Sequence, residues 1–382
     1  MKKVYAISDN IFSPLGLDSE ANWNALLQGK SGVEPRNKPS IQLKDFHAAV
    51  FQANIIEESF AAIASPAEFT KLEQMYILSI LDAVQRTDVD ARSARTLFLF
   101  STTKGNIDLL ENNSIDKYKA DRISLSVMAK QVTQYFGNPN EPVVLSNACI
   151  SGVLALIIGS YYIREGQYDH VIVSGGDIIS EFTVSGFQCL HALSADYCKP
   201  FDKNRTGINL GEACATVVLS AQAQASTDIE LKGGATSNDA NHISGPSKTG
   251  DGLFQAISHS LNYSGFLPQD IGYVSAHGTA TSYNDEMEAK ALHLASLSEV
   301  PVNSLKGYFG HTLGAAGVLE TILATWALKK QTVIASRGYS DHGVSLPLAV
   351  IEKNTAISFH NCLKTASGFG GCNVALILSK NY

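Results

Sequence analysis

None of the familiar cysteine patterns is present in this 382-residue chain. Its six cysteines (149, 189, 198, 214, 362 and 372) form no Cys-x-x-Cys pair, which speaks against a zinc site and a disulfide framework. Reduced thiols and a cytoplasmic setting are therefore expected. Long apolar runs are also missing: the best window, Val153 to Ile163, has the length of a core helix and falls short of a membrane span. The opening residues carry two lysines, but Asp9 and Asn10 interrupt the hydrophobicity that follows, which reads against a signal peptide. Positive charge is in deficit, with 29 Lys and Arg against 36 Asp and Glu and a net charge of -7. That balance argues against a general nucleic-acid binder but leaves room for a local basic patch facing an acidic protein partner. Charged residues make up only 17% of the chain and hydrophobic ones 45%, the balance of a compact protein with a large core.

What is there reads as α/β, twice over. Runs rich in β-branched and aromatic residues predict strands at Val4–Ser8, Thr96–Ser101, Pro142–Leu145, His170–Gly175 and Ala215–Ser220, with helical stretches between them. The pattern then restarts, with strands expected at Asp228–Gly233, Gly272–Ala276, Val300–Asn303, Ala349–Lys353 and Asn373–Leu378 and helices near 252–264, 284–298 and 312–330. No Pro/Gly/Ser-rich linker separates the two halves, which divide at 1–222 and 223–382. A weak internal repeat supports the division. Cys149 and His311 each stand three residues before a glycine, after a strand and at the start of an apolar helix. Two halves facing each other about a pseudo-twofold would bring Cys149 and His311 together.

Cys149 lies in Ser-Asn-Ala-Cys-Ile-Ser-Gly. At a strand-to-helix junction a thiol faces unpaired backbone N–H groups, which favour the thiolate and can also hold a tetrahedral oxyanion. The other five cysteines are assigned to packing, the commoner fate of a free cysteine. His277 ends a strand and opens His-Gly-Thr-Ala-Thr, where Thr279 and Thr281 place two hydroxyls on one side of an extended segment. Such a pair suits a polar linker like pantetheine. Asp285 and Glu288 read equally as anchors of the next helix or as a solvated face. Lys306 precedes His311 within an otherwise uncharged stretch from Pro301 to Leu319, which predicts a buried lysine whose carboxylate partner is Glu320. Ser367-Gly368-Phe369-Gly370-Gly371 sets one bulky residue among small ones. It reads as a tight hairpin connection or as a mobile gate with a second oxyanion donor.

In order and spacing, these motifs resemble the β-ketoacyl-acyl carrier protein synthases of the elongating branch, within the thiolase superfamily. The likeness runs from Ile11-Phe-Ser-Pro-Leu-Gly and Trp23 to Gly32, through Pro200-Phe-Asp-Lys-Asn-Arg with Gly211-Glu212, to Gly368–Gly371. It implies a five-layer αβαβα fold and a homodimer, with a heterodimer beside a related subunit as the variant. It also implies an acyl group carried on Cys149, with the N–H groups of Cys149 and Phe369 as the oxyanion hole. His277 and His311 would hold the malonyl thioester as carbon dioxide leaves, Lys306 with Glu320 would order the site, and Thr279 and Thr281 would contact pantetheine. Phe369, Gly370 and Ser367 would line the substrate side. No cofactor is implied beyond the pantetheine arm of the acyl carrier protein, which brings both the acyl and malonyl groups. Other readings are a non-catalytic shaping subunit, a thiolase acting on coenzyme A thioesters and, last, a Cys-His protease. Ser367 stands where the family usually has Phe beside the decarboxylation site, so that wall is expected to admit water or another side chain. Lys71, Lys203 and Arg205 are the cations left to recognise an acidic carrier protein.

Overall fold

The computed structural model describes residues 2–36, 46–111, 114–239 and 245–380. The strands that build its large sheet are β1 (Tyr5–Phe12), β2 (Thr96–Ser101), β3 (Val143–Leu145), β4 (His170–Asp177), β5 (Ala213–Ser220), β6 (Ile229–Asn238), β7 (Tyr273–Ser275), β8 (Val302–Asn303), β9 (Asn361–Ser367) and β10 (Cys372–Lys380). The helices that position the site are α1 (Lys71–Val84), α2 (Leu125–Tyr135), α3 (Ser151–Arg164), α4 (Glu181–Cys189), α5 (Asp251–Ser264), α6 (Ser282–Leu294) and α7 (Ala316–Lys330).

The strand order is β8-β7-β9-β10-β6-β1-β5-β4-β2-β3. Read outward from its centre, each half follows the same path: first strand, fifth, fourth, second, third. The pairing directions repeat as well. β2 runs parallel to β3 and β4, and β4 and β1 flank β5 antiparallel. β7 runs parallel to β8 and β9, and β9 and β6 flank β10 antiparallel. The two five-stranded sheets meet through only two residue pairs, Tyr5 with Glu230 and Ala6 with Ile229.

Layering follows from burial. Helix α1 packs on β5, β1 and β4, while α5 packs on β6 and β10. Between the sheets lie α3 and α7, which touch strands of both. These middle helices are apolar nearly all round because each meets protein on every side. β2 and β5 are buried along their whole length and so read as continuous apolar runs rather than alternating ones. The result is a five-layer α/β architecture, the one the resemblance implies.

The middle helices cross at glycines. A Cβ on Gly152 would lie 2.7 Å from the Val318 nitrogen, and one on Gly317 would lie 2.4 Å from the Val153 nitrogen. Backbone can approach this closely only where both side chains are absent. The crossing sets the junctions that precede α3 and α7 side by side.

Two strand expectations for the large sheet change. Ala349–Lys353 makes only a single bridge, Val350 to Val302, and β9 was missed, because its sequence Asn-Cys-Leu-Lys-Thr-Ala-Ser carries a lysine at its centre. Helix α1 opens with a full capping box between Thr70 and Glu73, which satisfies two orphan backbone donors.

Candidate active site

Cys149 sits two residues ahead of α3, on a turn that forces Ala148 into the left-handed region at φ 45°. Such strain persists only where the surroundings impose it. Here Ser151 clamps the turn: its hydroxyl donates to the Ala148 carbonyl at 2.6 Å and accepts from the Asn147 N–H at 2.7 Å. The thiol is thereby aimed at the mouth of the crossing, where the Phe369 backbone N–H favours its anion.

His277 follows β7. Its loop is shaped by two buried carboxylates, which settles the open reading of Asp285 and Glu288 in favour of anchoring. Glu288 accepts from the N–H groups of His277 (2.8 Å) and Gly278 (2.6 Å), and Asp285 from those of Thr279 (2.9 Å) and Phe201 (2.7 Å). Thr279 and Thr281 face the same cavity, with their hydroxyls 2.8 Å apart. His311 stands before the one-turn segment that leads into α7. The Thr102–Lys104 loop and the Gly314 N–H both bind Asp177, so a carboxylate on β4 ties the His311 segment to the other half of the molecule.

These groups converge. Cys149 Sγ and one ring nitrogen from each of His277 and His311 lie within 4.8 Å of one another, all three residues buried. The imidazoles meet edge to face, with centroids 5.3 Å apart. The Leu313 N–H donates to His311 Nδ1 at 3.3 Å, and Lys306 Nζ lies 3.2 Å from His277 Nδ1. Since both Nδ1 atoms face donors, both rings carry their proton on Nε2, and His311 Nε2 has no protein partner. Three such donor atoms are close enough to hold a metal ion. Cationic Lys306 at His277 Nδ1 opposes one, and the arrangement fits a neutral electrophile better.

Lys306 is fully buried. It donates to the His277 carbonyl at 2.6 Å and to Glu320 Oε1 at 2.7 Å, and the expected lysine–carboxylate pair is present. Around the site lies a cavity of about 300 Å³, lined by Cys149, both histidines, both threonines, Ser367 and Phe369.

Residues 1–225 match the β-ketoacyl synthase N-terminal domain and residues 229–340 the β-ketoacyl synthase C-terminal domain. The chain belongs to the β-ketoacyl synthase family. A putative mitochondrial 3-oxoacyl-[acyl-carrier-protein] synthase of Schizosaccharomyces pombe is 28% identical across 100% of this chain and 99% of its own length. A putative polyketide β-ketoacyl synthase 1 of Streptomyces cyaneus is 30% identical over 81% of this chain and 72% of its own. In fold, a ketosynthase solved in complex with its chain length factor from Xenorhabdus doucetiae superposes with a TM-score of 0.87 at 24% identity, covering 99% of this chain and 98% of that one. The protein is thus a condensing acyltransferase of the thiolase superfamily.

Electrostatics sharpen the site of this β-ketoacyl synthase. Burial holds His277 and His311 well below the ordinary imidazole value, and Lys306 and Lys364 push in the same direction; both rings are neutral at pH 7. Burial also pushes the Cys149 thiol up to about 12, a rise that neighbouring Cys372 adds to and that Lys306, the Phe369 N–H and Lys104 only partly offset. This corrects the expectation of a resting thiolate: in so dry a pocket the junction's donors do not outweigh desolvation.

Other expectations are redistributed. Gly370 is exposed and absent from the cavity lining, at φ 87° with open space around it; its place is the turn of the loop. Ser367 turns its hydroxyl to Asn373 at 2.8 Å. The aromatic surface nearby comes from α4, where Phe187 packs edge-on to His311 (6.3 Å) and against Phe369 (5.6 Å). Nothing in the sequence around Phe187 distinguished it. Cys189 is exposed, not packed, whereas Cys198, Cys214, Cys362 and Cys372 are buried. Arg205 is not a docking cation: it is largely buried, binding the Gly343 and Asp202 carbonyls and lying 3.8 Å from Asp285. Lys71 is paired with Glu212 at 2.6 Å, which leaves Lys203 exposed.

Proposed function

We propose that this synthase performs decarboxylative Claisen condensation between an acyl group carried on Cys149 and malonyl-acyl carrier protein. The convergence of Cys149 with two imidazoles protonated on Nε2, that of His311 without a protein partner, carries this reading. In the first half-reaction the Cys149 sulfur attacks the acyl thioester. The tetrahedral oxyanion lies against the N–H groups of Cys149 and Phe369, and the thiol proton ends on the departing pantetheine sulfur. In the second, His277 and His311 donate to the malonyl thioester carbonyl. The bond to the carboxylate breaks, carbon dioxide leaves, and its electron pair becomes the enolate. The enolate carbon then attacks the acyl carbonyl, the C–S bond to Cys149 breaks, and the sulfur takes up a proton. The product is a 3-oxoacyl chain two carbons longer. Lys306, held by Glu320, fixes His277, while Thr279 and Thr281 receive the pantetheine arm, the only cofactor the reaction calls for. Ser367 and Phe369 border the substrate, Phe369 as the gate.

The halves 1–222 and 223–382 are read as the units that supply the thiol and the imidazoles. A cytoplasmic dimer, homodimeric or beside a related subunit, fits the open edge of β3 and the exposed Phe182, Leu190 and Leu110. A shaping role within a heterodimer is the second reading; the complete Cys-His-His-Lys set favours catalysis. Cys149→Ala decides: condensation is expected to fall more than about 10³-fold while malonyl decarboxylation persists, and His311→Ala is expected to lose decarboxylation. Undiminished condensation in Cys149→Ala would overturn the reading.

A further inference from the structure

Lys364 occupies the centre of β9 with no exposure at all. Its ammonium reaches Glu320 Oε2 at 2.7 Å, the Thr365 carbonyl at 2.7 Å and the Ser275 carbonyl at 3.2 Å. Lys306 uses its own donors in the same way, on Glu320 Oε1, the His277 carbonyl and His277 Nδ1. Glu320 thus has one lysine at each oxygen, Lys306 hydrogen-bonded to Oε1 and Lys364 in ion-pair contact with Oε2. Structural pairing of Lys306 needs only the carboxylate. A second lysine adds the desolvation of another buried cation, several kcal/mol in typical cases, which holds Lys364 below the ordinary lysine value. It also adds a positive charge beyond the one Glu320 balances, with the buried Glu288 on α6 as the other carboxylate acting on it.

The groups facing this cluster come from every element packed on it. Lys306 lies on the turn after β8 and Glu320 on α7. Glu288 on α6 accepts from Thr365 Oγ1 at 3.1 Å and from the N–H groups of His277 and Gly278. Tyr273 on β7 and Cys362 on β9 stay uncharged, both pushed up by burial, the thiol to about 12. His277 and His311 complete the set.

We propose that Lys364 is a positioning residue for the condensation: by sharing Glu320 with Lys306, it keeps positive charge behind His277 and His311, so that both imidazoles stay neutral donors to the thioester carbonyl. This rests on the decarboxylating reading above. The added charge opposes protonation of either ring and favours the negative charge that develops on the enolate oxygen. Burial already lowers both histidines, and Lys364 adds to that lowering in each.

The test is a charge series read as the pH profile of malonyl-pantetheine decarboxylation, followed by carbon dioxide release. Lys364→Met lowers the net charge of the cluster by one, Glu320→Gln raises it by one, and the double variant returns to the wild-type value. The acid limb is expected to move toward neutral pH by at least about half a unit in Lys364→Met, by a similar amount the other way in Glu320→Gln, and to return in the double variant. Should Lys364→Met fail to fold, Glu320→Gln and the double variant still give the order. Lowered rates on an unshifted limb, or an order that ignores charge, would overturn the inference while leaving the proposed function intact. A wild-type protein without decarboxylation would overturn both.

Discussion

Helices α3 and α7 hold equivalent places in the two halves and cross at Gly152 and Gly317, yet they carry opposite chemistry. α3 has no charged residue before Arg164, whereas α7 buries Glu320 between two lysines. The shared strand order brings the two helix starts together, and the asymmetric charge decides what each can do. The first half presents a thiol that burial keeps protonated. The second presents two buried imidazoles that burial and two nearby lysines keep neutral. A duplicated fold supplies one meeting point and leaves each half free to furnish it differently.

The comparison breaks most severely at the crossing. Gly152→Val places carbon against backbone at 2.7 Å, so a loss of about 3 kcal/mol is expected, with a thermal midpoint lower by about 4 °C. Gly186→Ala in α4 has nothing within 4 Å of the new methyl and should leave the midpoint unchanged or slightly raised. Equal sensitivity in a melting experiment would refute the close-packed crossing. A smaller effect is expected at Asp177, where Asp177→Ala frees the Gly314 N–H and loosens the segment of His311. The condensation kcat should fall about tenfold, with a stability loss of roughly 2 kcal/mol; unchanged kcat would show that this carboxylate only braces the fold. The mildest contrast concerns the thiol itself. With Cys149 near 12, its alkylation rate should keep climbing about tenfold per pH unit beyond pH 9. A plateau below pH 8, read by intact mass, would mean that the thiolate is already formed at rest.

Much of this was legible in the chain. Cys149, His277, Lys306, His311 and Phe369 stand in short motifs whose small residues have visible steric reasons, and Glu320 could be matched to Lys306 because both interrupt apolar surroundings. Lys364 was hidden by the same logic. A lysine in mid-strand makes Asn361–Ser367 look unlike a buried strand, and only the distant carboxylate of Glu320 makes it one. Phe187 was hidden because an aromatic on a half-exposed helix gives no period or motif, and its contacts come from residues far along the chain. The ionisation of Cys149 was misjudged for a related reason: donors at a helix start are local and readable, whereas desolvation depends on everything packed around them.

The seam between the sheets bears on how the protein comes into being. With two residue pairs joining β1 to β6, neither sheet templates the other along an edge, and the halves are held instead by contacts such as Ser101 Oγ to the Gly314 carbonyl, 213 positions apart. Pairings of such separation form late, and domains of a growing chain fold in the order in which they emerge. The first half can therefore complete its sheet during synthesis with Cys149 still lacking the histidines and the Phe369 amide. Cys149, His277 and His311 come together only when the second half docks, so the site is the last part of the protein to be assembled.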